Sequence, residues 1–327
     1  MKIVIALHHP FTLWTAPPWL AERLRADFPG HTFVQTSSYD DLGDVISDAD
    51  VLLGWSLRPE QFARATRLQW IHSSAAAVHQ LMFPEVVNSA VQVTNARQVH
   101  APVVAEHALA LIFALAKRLP RCADYQRQSL WAQQAIFEEK PTVREVKGSS
   151  VCLIGFGGIG REFARRAHAL GMKVLAVREH PERGRQGASQ VFGRDRLHDA
   201  LPLADFVVLA APLTPATKHI MNAAALAAMR PDAYLINVGR GPLIDDDALI
   251  ATLRQNRIAG AALDVFADEP LPPASPYWTL KNVLITPHIA AVTEKLWERH
   301  YALISENLKL FVAGKPLKGI VDKTKGY

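Results

Sequence analysis

Two cysteines in 327 residues, Cys122 and Cys152, are too few for a disulfide framework. Cys152 stands inside an apolar run, Val151-Cys-Leu-Ile154, where a buried free thiol is the ordinary reading. A reducing, cytoplasmic compartment is the expectation. Charge of one sign is also scarce: 36 Lys and Arg against 31 Asp and Glu leave a net charge of +5 with no basic tail, so no nucleic-acid partner is expected. The longest uncharged run, Ile3 to Ala21, is broken by His8, His9, Pro10, Pro17 and Pro18. It is neither a membrane span nor a secretory signal, because an h-region needs roughly 7–15 apolar residues and only Ile3 to Leu7 qualify. Thirteen histidines show no ligand spacing such as H-E-x-x-H, so no metal and no membrane association is expected.

With 49% apolar and 20% charged residues the chain has a globular composition, and its length suggests two domains at about 150 residues each. Short apolar runs alternate with helical patterns. Expected strands are Lys2–Leu7, Thr32–Gln35, Asp50–Gly54, Gln69–Ile71 and Val91–Thr94, then Val151–Ile154, Met172–Val177, Phe206–Ala210, Ala233–Asn237, Ile258–Leu263 and Val283–Thr286. Helices are expected between them, and a last one over Thr293–Val312. Such alternation predicts an α/β chain with doubly wound parallel sheets. The run Pro102–Leu119 is apolar on every side over Ala108–Ala116. Such a helix is usually buried all round, and too few residues are expected nearby to wrap it within one subunit, which points to a dimer interface.

The sharpest local motif is Gly155-Phe-Gly-Gly-Ile-Gly160, set between the strand Val151–Ile154 and a helix that closes at Gly171. Gly155 permits a tight turn, Gly157 lets the backbone approach a pyrophosphate, and Gly160 lets helix and strand pack closely. The helix start adds free N–H groups and a positive dipole end. An NAD site usually places a carboxylate about 20 residues past the glycines, to accept the ribose hydroxyls. Here Arg178 follows the second strand, with Arg183 and Arg185 nearby. A guanidinium pairs with a 2′-phosphate, so NADP is expected over NAD; the alternative is that Glu179 takes the ribose.

Three segments follow strands: Asn237-Val-Gly-Arg-Gly241, Asp264–Pro270 and Thr286-Pro-His-Ile-Ala290. Open α/β sheets bind ligands at those carboxyl ends. Arg240, Glu269 and His288 suit hydride transfer between a 2-keto acid and a 2-hydroxy acid. Arg240 holds the carboxylate and polarises the carbonyl, His288 gives the carbonyl oxygen its proton, and Glu269 fixes the imidazole tautomer and favours its charged form.

The segments Ala105-Glu-His107, Val151–Gly160, Pro212-Leu-Thr-Pro-Ala-Thr217, Ile236–Gly241, Ala262–Pro270 and Thr286–Ala291 together resemble the D-isomer-specific 2-hydroxyacid dehydrogenases. The resemblance runs from about Gln69 to His288. It implies a Rossmann cofactor domain (99–289) inserted in a flavodoxin-like, discontinuous substrate domain (1–98 and 290–327). It also implies a homodimer built around the long helix after Pro102. Arg240 and Glu269 are implied as catalytic, and His288 as proton donor. Cofactor contacts are implied at Gly158, Ile159, Arg178, Pro212, Val238, Asp264 and His288, and backbone N–H groups of Ala76 and Ala77 are implied to hold the substrate carboxylate.

Two departures stand out. Where the family carries glycines and Asp in the carboxylate loop, this chain has Ala75, Ala77 and His79; where it carries an acidic residue, this chain has Arg178. The second departure matches NADP-preferring glyoxylate/hydroxypyruvate reductases, and such a reduction is the expected activity. No regulatory domain is expected after the last helix. A dinucleotide-sensing corepressor of the same fold is the alternative from another class, and a formate-type dehydrogenase is a third reading that leaves His288 without a role. The strand-end segment Trp55-Ser-Leu-Arg58 is read as an outer pocket wall; Trp55 and Leu57 would favour small or hydrophobic side groups and Arg58 an acid group. His8 and His9 are read as loop residues.

Overall fold

The structure, a computed structural model, describes residues 1–324 and 326. It divides into two compact units, Met1–His100 with Val292–Tyr327, and Ala101–Ala291.

The first unit holds a five-stranded parallel sheet of β1 (Lys2–Ala6), β2 (Thr32–Gln35), β3 (Val51–Gly54), β4 (Trp70–Ser73) and β5 (Gln92–Asn95), in the order β2-β1-β3-β4-β5. That is the flavodoxin-like order. Alternate side chains of a strand point to opposite faces. Ile3, Ile5 and Leu7 therefore pack with Leu20, Leu24 and Trp70 beneath the helix Leu296–Val312, while Val4 and Ala6 pack with Leu42, Ile46 and Ile71 on the other side. Both faces are covered, which is why the strands read as unbroken apolar runs.

The second unit holds a seven-stranded parallel sheet of β6 (Ser150–Ile154), β7 (Lys173–Arg178), β8 (Gln190–Gly193), β9 (Phe206–Leu209), β10 (Tyr234–Asn237), β11 (Gly260–Leu263) and β12 (Val283–Ile285). Its order, β12-β11-β10-β9-β6-β7-β8, is the doubly wound dinucleotide-binding order with one strand added at the edge. Val151 and Leu153 face one core layer, and Cys152 and Ile154 the other.

Three sequence expectations need correction. β8 was not foreseen: Gln190–Gly193 is four residues long, with Gln190 exposed and Val191 half-buried, so it carries no clear apolar run. The long helix begins at Arg97 and not at Pro102, and it runs through the proline. Pro102 removes one helical N–H, and packing of Val104, Ala105 and Ala108 in the core covers the next turn. The same chain also wraps most of this helix: Val104, Ala105, Ala108, Leu109, Leu111, Ile112, Leu115 and Ala116 are buried with Val151, Leu153, Phe163 and Phe206. Its exposed residues are Arg97 and Gln98 at the start, then Glu106 and Ala110. Arg97–Ala116 is long and apolar enough to cross a membrane by length and composition, yet 61% of its apolar window is buried within the protein.

Candidate active site

In the second unit, β10, β11 and β12 end side by side in parallel register, so the segments after them share one edge of the sheet. Asn237 closes the first: its side-chain oxygen accepts from Gly239 N at 3.0 Å, and its Nδ2 donates to Arg240 O at 3.0 Å. An Asn that ties down its own turn in this way is common at strand ends. Arg240 projects from that turn, half-buried, and donates from Nη1 to Gly239 O at 2.6 Å. Burial lowers its guanidinium pKa, and Glu269 opposes the shift. Gly241 lets this turn lie against the next one, since a Cβ there would sit 1.9 Å from the Phe266 carbonyl carbon.

The second turn carries Glu269. Its Oε1 accepts from Phe266 N at 2.8 Å, and its Oε2 meets His288 Nδ1 at 2.5 Å. Burial raises the Glu269 pKa, but hydrogen bonds from His288 and Phe266 N, with the charges of His288 and Arg240, bring it below the usual carboxylate value. The carboxylate oxygen is an acceptor, so His288 Nδ1 carries the proton on that side. His288 itself has φ +53°, a left-handed conformation uncommon for a side chain this size.

Asp264 fixes that conformation. It is fully buried at the end of β11. Its backbone carbonyl accepts from His288 N at 2.9 Å. Its carboxylate accepts from Thr286 Oγ1 at 2.6 Å, Ile289 N at 3.0 Å and Ala290 N at 3.0 Å, and His107 Nε2 lies 3.4 Å away. Burial pushes this carboxyl up, but hydrogen bonds from His107, Thr286, Ala290 and Ile289 outweigh it and leave the pKa lowered. The resemblance implies Asp264 among the cofactor contacts; within the chain its side chain holds the His288 loop. His107 and Thr286, 3.1 Å apart, complete this network, and Asn237 shapes the Arg240 turn. Sequence reading gave those three no role. A buried Asn before Gly at a strand end is the signal that could have found the last.

The glycine-rich turn follows β6. Gly155 has φ +98°, and a Cβ there would stand 2.4 Å from Ala211 N. A Cβ on Gly160 would lie 2.4 Å from Gly155 O. Beside Gly157 there is open space within 4 Å, as close approach of a phosphate requires. Gly158 and Ile159 open the helix Gly158–Ala169, whose first N–H groups have no intrahelical acceptor. Val238 is buried, with its N–H on Leu209 O, whereas Pro212 is exposed on a loop braced by Thr217. Arg178 is the last residue of β7. One of its terminal nitrogens, Nη1, is buried without a partner, and the guanidinium lies 5.7 Å from the Phe156 ring centroid. Burial, then the charges of Arg183 and Arg161, lower its pKa, with Glu182 opposing. An orphaned donor near the guanidinium groups of Arg183 and Arg161 fits an anion, and the open face at Gly157 fits a dinucleotide's pyrophosphate.

In the first unit, the loop after β4 holds Ala76 and Ala77, whose N–H groups have no acceptor among the described residues. Leu57 is buried in the core, and Arg58 is paired with Asp40 at 3.2 Å. Trp55 is left at the strand end, its N–H donated to Trp14 O at 3.0 Å and its ring set edgewise to Trp14 and Trp297. His8 bonds Thr36 and His9 bonds its own loop.

With this geometry in hand, similarity to known proteins is decisive. Residues 109–290 match the family described as D-isomer specific 2-hydroxyacid dehydrogenase, NAD binding domain. This chain belongs to that family. It is accordingly an oxidoreductase. Glyoxylate reductase of Pyrococcus furiosus is 32% identical over 284 residues, which is 85% of this chain and 84% of that one. A solved D-isomer specific 2-hydroxyacid dehydrogenase family protein from Aeromonas salmonicida has a TM-score of 0.83 at 29% identity, covering 98% of this chain and 99% of the other. An NADPH-dependent glyoxylate/hydroxypyruvate reductase from Sinorhizobium meliloti, solved with NADP and sulfate, has a TM-score of 0.80 at 26% identity, covering 100% and 99%.

Proposed function

We propose that this dehydrogenase reduces a short 2-keto acid of the glyoxylate and hydroxypyruvate type to the D-2-hydroxy acid, with NADP(H) preferred and NAD possible. The observation that carries the reading is the 2.5 Å contact between Glu269 and His288 on the edge that also holds the half-buried Arg240. The cofactor, when bound, supplies the hydride that becomes the C2 hydrogen of the product. Gly155, Gly157, Gly158, Ile159 and Gly160 would hold its pyrophosphate, and Arg178 its 2′-phosphate. Pro212, Val238, Arg240, Asp264 and His288 would contact the dinucleotide, and Asp264 would also hold the His288 loop.

Arg240 polarises the keto group and draws in the carboxylate with a planar fork that stays charged at any working pH. As negative charge grows on the keto oxygen, His288 gives it a proton from Nε2. Glu269 stabilises the imidazolium beforehand and holds the ring by Nδ1. The product gains one hydride on C2 and one proton on oxygen. Ala76 and Ala77 N–H groups take the substrate carboxylate. Residues 99–289 would then serve as the cofactor domain, and 1–98 with 290–327 as the substrate domain.

A cytoplasmic homodimer completes the reading. Trp131, 93% exposed, stands with exposed Leu119, Leu130 and Phe137 on the stretch of chain that follows the long helix. A second copy covering it would explain so much exposed hydrocarbon.

The test is NADPH consumption with a panel of 2-keto acids, repeated with NADH. Turnover of glyoxylate or hydroxypyruvate with a higher kcat/KM for NADPH supports the reading. No turnover with any 2-keto acid refutes it.

A further inference from the structure

The carboxylate loop of the first unit is held from one side only. Three successive carbonyls are engaged: Ala75 O accepts from Ala96 N at 3.0 Å, Ala76 O accepts from Asn95 Nδ2 at 2.8 Å, and Ser74 O faces His100 Nε2 at 3.4 Å. A carbonyl only accepts, so His100 carries its proton on Nε2 toward the loop. All three pins come from the segment Asn95–His100, where β5 passes into the long helix. With these carbonyls turned toward that segment, the N–H groups of Ala76 and Ala77 are left without an acceptor among the described residues. The loop has no glycine, so every one of its residues carries a Cβ, and its exposed-donor shape rests on these external bonds.

His100 is itself held in place. Its ring lies 5.6 Å from that of His300 at 72°, and 6.3 Å from that of Trp14. His300 is fully buried on the helix Leu296–Val312, against Trp297 at 5.1 Å and Trp55 at 6.2 Å. Neither ring nitrogen of His300 has a hydrogen-bond partner among the described residues. A polar ring buried this way costs stability unless its placement serves something else. Burial, then the proximity of His100 and His72, keeps it uncharged, so it can press against His100 without repulsion.

We propose that His100 is a positioning residue for substrate binding: its Nε2–H holds the Ser74 carbonyl and keeps the Ala76 and Ala77 N–H groups turned out toward the carboxylate of a 2-keto acid. His300 is the buttress that holds the His100 ring. The inference rests on the proposed 2-keto acid reduction. It adds residues that do not touch the reacting atoms.

The experiment compares the full-length protein with His100→Leu, which fills the space without a donor, and His100→Gln, which restores one. Steady-state reduction of glyoxylate at saturating NADPH is measured, together with NADPH affinity and hydrogen exchange of peptides covering residues 73–78. In His100→Leu the KM for glyoxylate rises about tenfold, the worth of one hydrogen bond, while kcat and NADPH affinity stay near wild type. His100→Gln recovers most of the loss, and the 73–78 peptides exchange faster in the Leu variant alone. An unchanged KM, a Gln variant no better than Leu, or an equal loss of NADPH affinity overturns the proposal. If the wild type reduces no 2-keto acid, the proposed function fails, and exchange of the 73–78 peptides then decides the role of His100: faster exchange in Leu but not Gln supports it, and equal exchange overturns it.

Discussion

Replacing Glu269 by Gln isolates the charge behind the proposed proton donor. In the wild type, one carboxylate oxygen holds Phe266 N at 2.8 Å and the other holds His288 Nδ1 at 2.5 Å. Gln keeps an oxygen for Phe266 N, so the turn stays folded. Its amide then presents N–H to His288 and forces Nδ1 to accept. The ring keeps a proton on Nε2 but loses the negative charge that stabilises the imidazolium. A hydrogen bond to a charged group contributes about 1.5–3 kcal/mol. The His288 side chain is 48% exposed and that of Glu269 32%, so solvent screening favours the lower part of that range. About 1.5–2 kcal/mol of lost transition-state stabilisation corresponds to roughly a 10- to 30-fold fall in kcat. NADPH consumption at saturating substrate reads it directly. A kcat equal to wild type, or a change confined to KM, refutes the reasoning.

Other substitutions probe separate parts. Arg178→Asp removes the orphaned guanidinium donor at the end of β7 and replaces it with a repelling charge; NADPH affinity falls about 30-fold or more and NADH affinity improves, measured by cofactor titration. An unchanged cofactor ratio moves the phosphate site elsewhere. Asp264→Asn leaves a buried backbone N–H of the 289–290 turn facing another donor, at a cost of about 2 kcal/mol and a Tm lower by about 4–8 °C. Because the folded-state pKa of Asp264 is lowered from 3.8, its contribution is present above that value and is lost as pH falls below it. The Asn variant therefore loses less stability than wild type on acidification below about 3.8, and parallel acid limbs in thermal denaturation would contradict this.

Much of this molecule could be read from its residues, for identifiable reasons. Strands covered on both faces, such as Ile3–Ala6 and Val151–Ile154, appear as apolar runs that leave little choice. The glycine turn was legible because each glycine answers a steric demand, 2.4 Å contacts at positions 155 and 160 and open space at 157. What escaped lies where information is not local. β8 is an edge strand with an exposed end, so nothing marks it. The long helix was misread at its start because a proline usually opens a helix, whereas here core contacts of Val104 and Ala105 carry it through Pro102. The claim that too little chain surrounds it failed because β6, β9 and the helix Gly158–Ala169, remote in sequence, fold onto it. His107 meets Thr286 and Asp264 across more than a hundred and fifty residues, a pairing that only the tertiary structure brings about.

The account stands or falls on His288 as the group that protonates the keto oxygen. The most direct measurement is kcat for glyoxylate reduction by His288→Ala, with NADPH binding checked independently. The account predicts a fall of about 10²–10⁴-fold, the usual contribution of a positioned acid, with the cofactor still bound. Turnover at the wild-type rate would contradict it.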